Sequence, residues 1–155
     1  MEGMLGRWGA NGDILDGAIY SAAARLYAEG TASLQRGDFA SAVHALAAAG
    51  DALPRPFENW DASTRILAQL AEAYWRARAY PQALTALHHA MHCPHAIGDP
   101  WLHLRLGQVQ LELGKLPQAS DELARAYMGG GREIFAEEDP KYFTHVQSVL
   151  DPPVD

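Results

Sequence analysis

Residues 88 to 95 read HHAMHCPH, a run rich in side chains able to coordinate a metal. On a helix, His88 and His92 stand four residues apart on one face, and His89 and Cys93 do the same on the next. That spacing can grip a borderline or soft cation through imidazole and thiolate. The cluster holds no carboxylate to orient its imidazoles, as the outer shell of a metal site needs. Solvated histidines, with Cys93 partly buried, are therefore the expected reading, and no metal or cofactor is assigned.

The sequence has no G-x-S-x-G elbow, no phosphate loop G-x-x-x-x-G-K and no H-E-x-x-H pair. His44, His103 and His145 have no neighbours that nominate a nucleophile partner. The acidic run Glu133, Glu137, Glu138 and Asp139 reads as a solvated face that favours the start of a last helix through its dipole. A non-enzymatic protein is expected.

Composition narrows the partners. With 155 residues, 48% hydrophobic and 20% charged, the chain can bury a sizeable core. Twelve basic against 19 acidic residues give a net charge of -7, which leaves no basic stripe to release counterions from a nucleic acid. A basic protein or peptide fits that charge better. Cys93 is the single cysteine, so no intrachain disulfide can form and a reducing compartment is expected. Neither an apolar run long enough to span a bilayer nor a signal peptide is evident, which makes the cytoplasm the expected location.

The elements that must position these residues are helical. The stretch Leu106 to Ala126, LGQVQLELGKLPQASDELARA, places Gly107 and Gly114 seven apart and sets Ala119, Leu123 and Ala126 on one helical face. Two helices joined by a tight glycine turn follow. Upstream, Gly30, Gly37, Ala42, Leu46 and Ala49 repeat the arrangement with Pro54 behind them. Leu67, Leu70, Ala71, Tyr74, Ala83, Leu87 and Ala90 repeat it again, with Arg78 where the turn glycine belongs. Ala42 to Ala83 is 41 residues and Ala83 to Ala119 is 36.

This pattern of small and large residues resembles the tetratricopeptide repeat (TPR), W-x2-L-G-x2-Y, A-x3-F, P, of about 34 residues. The resemblance implies an all-α helical solenoid of three helix-turn-helix repeats plus a C-terminal capping helix. The repeats fall at about 18–54, 60–95 and 99–128 and the capping helix at about 139–150, within one domain over 18–150. Asp38, Asp61 and Asp99 read as helix caps. Gly129, Gly130 and Gly131 read as a break. Residues 1–17, with five glycines, read as a flexible segment on which Trp8 alone is a candidate to dock, and 151–155 as a short tail.

The resemblance also implies a function: binding a partner protein or peptide in the concave groove lined by the first helix of each repeat. Carried over by position, the groove residues are Ala24, Tyr27, Thr31, Leu34 and Gln35, then Arg65, Ala68, Glu72, Trp75 and Arg76, then Trp101, Leu104, Gln108, Leu111 and Glu112. Tryptophan, tyrosine and arginine are the types that dominate binding hot spots. One subset of the family holds a peptide's C-terminal carboxylate. Here Tyr27, Thr31, Gln69 and Trp101 replace the lysines and asparagines it needs and only Arg105 agrees, so that clamp is not expected, though Arg105 stays among the groove residues. The ending EIFAEEDPKYF is similar to that of small stand-alone bacterial proteins of this repeat class, a group associated with toxin and immunity gene clusters. An adaptor or immunity-type inhibitor is the implied role, with a secretion-chaperone-like holder of an extended segment, or a metal protein using His88 to His95, as alternatives.

Overall fold

Asp16, Asp38, Asp99 and Asp139 each open a helix by accepting one or two of its first backbone N–H groups on a side-chain oxygen. The computed structural model describes residues 5–150; the 151–155 tail and the first four residues of the N-terminal segment lie outside the described residues. Among the described residues there are seven α-helices: α1 (Gly17–Gln35), α2 (Phe39–Asp51), α3 (Asp61–Arg76), α4 (Tyr80–Ala90), α5 (Pro100–Glu112), α6 (Leu116–Gly130) and α7 (Pro140–Val149). Single 3₁₀ turns cover Phe57–Asn59 and Arg132–Phe135. Among the described residues no helix is long and apolar enough to cross a membrane.

The turns inside the three helix pairs share one geometry. Gly37 at φ +78°, Arg78 at φ +58° and Gly114 at φ +75° all adopt the left-handed conformation that closes a helix. Arg78 therefore keeps the turn that its missing glycine put in doubt. By its internal packing the chain divides into two compact units, one ending at Ile97 and one beginning at Gly98.

In the first unit α2 packs on both α1 and α3, and α3 packs on α4. The crossing of α1 and α2 needs Gly30, because a Cβ there would lie 2.6 Å from Leu46 Cγ. Ala71 and Leu87, both fully buried, stand at the same repeat positions in the second pair.

The N-terminal segment departs from the flexible one expected. Leu5 and Leu15 are each 1% exposed and join the core cluster of Tyr27, Phe57, Trp60 and Ile66. Ala10 N–H donates to Asn59 O at 2.7 Å, Asp61 N–H donates to Trp8 O at 2.9 Å, and Arg7 reaches Leu15 O at 3.1 Å. Glycine content misled here because two leucines supply the burial and Gly6 and Gly12 supply the turns, at φ +65° and +91°. Trp8 itself is 56% exposed. Asp61 is not the cap of α3 either; Trp60 holds that place without a side-chain bond, and the strap through Trp8 O satisfies the Asp61 N–H.

In the second unit α5 packs on α6, and a Cβ at Gly107 would lie 2.7 Å from Leu123 Cγ. Helix α6 continues through Gly130 instead of breaking after Met128. Glycines suit this helix end because a Cβ at Gly129 would lie 2.9 Å from Pro100, and one at Gly130 3.0 Å from Ile134 and 3.1 Å from Pro100. Gly131, at φ +71°, ends the helix. Helix α7 then buries Tyr142 and Val146 and packs on α6.

Candidate partner-binding faces and the histidine cluster

The histidine cluster separates on folding. Helix α4 ends at Ala90, so His92 and Cys93 lie beyond the regular spacing that would align them with His88 and His89. His88 and His92 point to solvent, while His89 Nε2 meets Glu58 Oε1 at 2.9 Å and its ring lies 5.1 Å from that of Phe57. The missing carboxylate thus comes from a residue 31 positions upstream. Cys93 is buried with its thiol donating to His89 O, and His95 faces Asp61 at 3.5 Å. Burial, and then the charge of Glu58, push the Cys93 thiol up to about 11. Among the described residues no three His, Cys, Asp or Glu side chains converge on a metal position.

On the first unit, the expected groove residues lie at graded depth. Tyr27, Leu34 and Glu72 are buried, Ala24, Thr31, Ala68 and Trp75 are half-buried, and Gln35, Arg65 and Arg76 are exposed. Burial holds the Tyr27 phenol above its ordinary value, opposed by the charge of Arg65 and a hydrogen bond with Gln69. Thr31 Oγ1 donates back to Ala28 O at 3.0 Å. Glu72 takes the Arg76 guanidinium at 3.0 Å, one helical turn on, and the Trp75 and Tyr80 rings lie 5.5 Å apart. The exposed part of this face is therefore Gln35, Arg65 and Arg76, with the half-buried Trp75 beside Arg76.

On the second unit, α5 is buried from Leu102 through Gln110, so its polar residues need internal partners. His103 Nε2 accepts Gly98 N–H at 3.0 Å, which leaves the ring proton on Nδ1, facing Glu122 Oε2 at 2.5 Å. Arg105 Nη1 donates to Gln108 Oε1 at 2.6 Å and to Glu138 Oε1 at 2.7 Å; Gln108 Nε2 donates to the same Glu138 oxygen at 2.6 Å. The Arg105 guanidinium also covers the Trp101 ring at 5.3 Å. One turn further, Glu112 Oε1 accepts from Tyr142 Oη at 2.5 Å and Lys141 Nζ at 2.6 Å. Leu104 is buried and Leu111 half-buried.

The C-terminal segment thus covers the face on which Trp101, Arg105, Gln108 and Glu112 were expected to meet a ligand. Glu138, read from sequence as part of a solvated acidic face, is an ion-pair partner instead. Glu138, Lys141 and Tyr142 were missed as members of this face. Pairings 30 to 33 residues apart leave no periodic trace.

No family model matches the sequence, and no curated protein matches it. Solved structures do resemble the fold. The type III secretion chaperone SycD of Yersinia enterocolitica, in complex with a peptide of the translocator YopD, aligns with a TM-score of 0.64 at 16% identity, over 81% of this chain and 89% of that one. The first TPR domain of human RPAP3 gives 0.64 at 19% identity, over 82% and 94%. The first TPR of Spaghetti (RPAP3), bound to the HSP90 peptide SRMEEVD, gives 0.63 at 17% identity, over 83% and 90%. The fold is that of tetratricopeptide-repeat domains.

Proposed function

We propose that the protein is a non-enzymatic interaction module that binds a partner protein or peptide through the faces of its first helices. The supporting observation is that two structures of this fold hold a peptide, from YopD in one and HSP90 in the other. On the first unit the binding residues are Tyr27, Thr31, Arg65, Glu72, Trp75 and Arg76. On the second the candidates are Trp101, Leu104, Arg105, Gln108, Leu111 and Glu112, of which Arg105, Gln108 and Glu112 are paired with the C-terminal segment. The net charge of -7 favours a partner of opposite net charge and argues against nucleic acid. The role we assign is that of an adaptor or immunity-type inhibitor in the bacterial cytoplasm, on the strength of the EIFAEEDPKYF ending.

Affinity capture on the purified chain, followed by titration of the captured partner, tests this. Trp75→Ala and Trp101→Ala should each weaken binding by more than about 1 kcal/mol if they are hot spots. Unchanged affinity in both variants would remove the first-helix faces from consideration. The likeness to a secretion chaperone supports a second reading, a holder of an extended segment. A folded toxin or enzyme as the captured partner favours the first reading, a secreted translocator the second.

A further inference from the structure

Residues 7–15 fold into a short two-stranded ribbon, closed by a turn in which Gly12 N–H donates to Gly9 O at 3.1 Å. Gly9 N–H donates to Asp13 O and Leu15 N–H to Arg7 O, each at 2.8 Å, and these two bonds flank the facing pair Trp8 and Ile14. In an antiparallel ladder a pair flanked in this way makes no bonds of its own, and the N–H and C=O of both residues point outward. On the Trp8 side that outward edge is filled. Trp8 O accepts Asp61 N–H at 2.9 Å and Ala10 N–H donates to Asn59 O at 2.7 Å, so residues 59–61 run alongside as a third line of backbone. On the Ile14 side it is not: among the described residues neither the N–H nor the C=O of Ile14 has a hydrogen-bond partner. The geometry points to Ile14 as an open strand edge on which an extended, positively charged peptide segment of a partner protein pairs. This surface lies outside the first-helix faces and goes beyond the reading given for them.

The ribbon has an inner and an outer side. A Cβ at Gly9 would stand 2.4 Å from Asn59 Nδ2 and Leu15 is buried, so the alternate residues Trp8 and Ile14 face solvent, 56% and 53% exposed. Facing residues of such a pair share one side of the ribbon, so the indole and the isoleucine side chain make one apolar platform beside the open edge. Main-chain bonds to Ile14 hold the incoming strand, and the platform receives one of its apolar side chains. Leu5 and Leu15 fix the ribbon in the core, so the edge needs no ordering before it binds. Charge selects the occupant. Asp13 and Asp16, both exposed, bracket Ile14, while Arg7 is turned away from the edge, donating to Leu15 O at 3.1 Å and covering the Tyr20 ring at 5.4 Å. Pairing two copies of the chain through Ile14 would set Asp13 diagonally across from its own counterpart, with a net charge of -7 on each copy. A second copy is therefore disfavoured and a basic strand is favoured.

A fluorescein-labelled heptapeptide RVTVTVR, which alternates valine with threonine between terminal arginines, is titrated into the full chain with anisotropy as readout. Saturable binding with Kd below about 1 mM is expected. The acidic counterpart EVTVTVE should bind at least about ten-fold more weakly. Trp8→Ala and Ile14→Ala should each weaken RVTVTVR at least about ten-fold. Should Trp8→Ala fail to fold, Ile14→Ala carries the test, because Ile14 lies outside the core. Unlabelled RVTVTVR at saturation should also slow hydrogen exchange of the Ile14 amide at least about ten-fold, since that proton enters a hydrogen bond only when a strand is added. No binding, equal binding of the acidic peptide, or binding that leaves Ile14 exchange unchanged overturns the edge. A chain that sediments as a dimer and becomes monomeric in Ile14→Pro overturns it too, by giving the edge to a second copy. Trp75→Ala and Trp101→Ala should leave the affinity for RVTVTVR unchanged, so failure of this surface is distinguishable from failure of the first-helix faces.

Discussion

Gly107 of α5 lies so close to Leu123 of α6 that a Cβ on the glycine would stand 2.7 Å from Leu123 Cγ and 3.0 Å from the Leu123 backbone nitrogen. Neither neighbour can move freely, since Leu123 is fully buried and its backbone is helical. In an open helix, Gly→Ala stabilises by roughly 0.5–1 kcal/mol. Here overpacking, at about 1–3 kcal/mol, should prevail and make Gly107→Ala destabilising. The urea midpoint should fall, and Gly107→Ala with Leu123→Ala should be less destabilised than the sum of the two singles. Additive losses would show that the contact is not the cause.

Arg78 makes the opposite prediction. It holds φ +58° where the equivalent turns use Gly37 and Gly114, a conformation that costs an L-residue roughly 1–2 kcal/mol. Its side chain is exposed, so little packing is lost on removing it. Arg78→Gly should raise the thermal midpoint, offset in part by the greater freedom of glycine in the unfolded chain. A lower midpoint would mean that Arg78 contributes a contact worth more than the strain.

The N-terminal strap can be tested with two adjacent residues. Leu15 is 1% exposed and Ile14 is 53% exposed. Leu15→Ala should destabilise by about 2–5 kcal/mol, and Ile14→Ala should stay within about 0.5 kcal/mol of wild type. Equal, small effects in chemical denaturation would show that the strap adds nothing to the core.

Cys93 gives a pH dependence with a definite sign. Its thiol rises from 9.0 to about 11 in the folded chain, so the folded state holds this proton more tightly than the unfolded state does. The resulting stabilisation is fully present below the lower of these values and is lost as pH climbs through the higher. Stability measured from neutral to strongly alkaline pH should fall less steeply in Cys93→Ala than in wild type. At mildly alkaline pH the native thiol should react with alkylating reagents far more slowly than the denatured one. Fast native alkylation would contradict the burial.

The helices and their register were legible in the sequence because they arise from local chemistry. Aspartates cap, glycines turn, and Gly30 with Leu46, Ala71 with Leu87 and Gly107 with Leu123 recur at offsets of 41 and 36, the same offsets found between Ala42, Ala83 and Ala119. A small residue facing a leucine across a helix pair leaves a periodic mark that survives in one sequence. The ion pairs leave none. Glu58 on His89, Glu138 on Arg105 and Gln108, and Tyr142 on Glu112 join residues about thirty positions apart, and a charged residue looks the same whether its partner is a side chain or water. The sequence by itself determined the repeat and the turns inside its helix pairs. Only tertiary structure decided how much of the first-helix faces stays open. On the first unit Gln35, Arg65 and Arg76 remain exposed, whereas on the second a buried guanidinium demanded a carboxylate and the chain supplied its own.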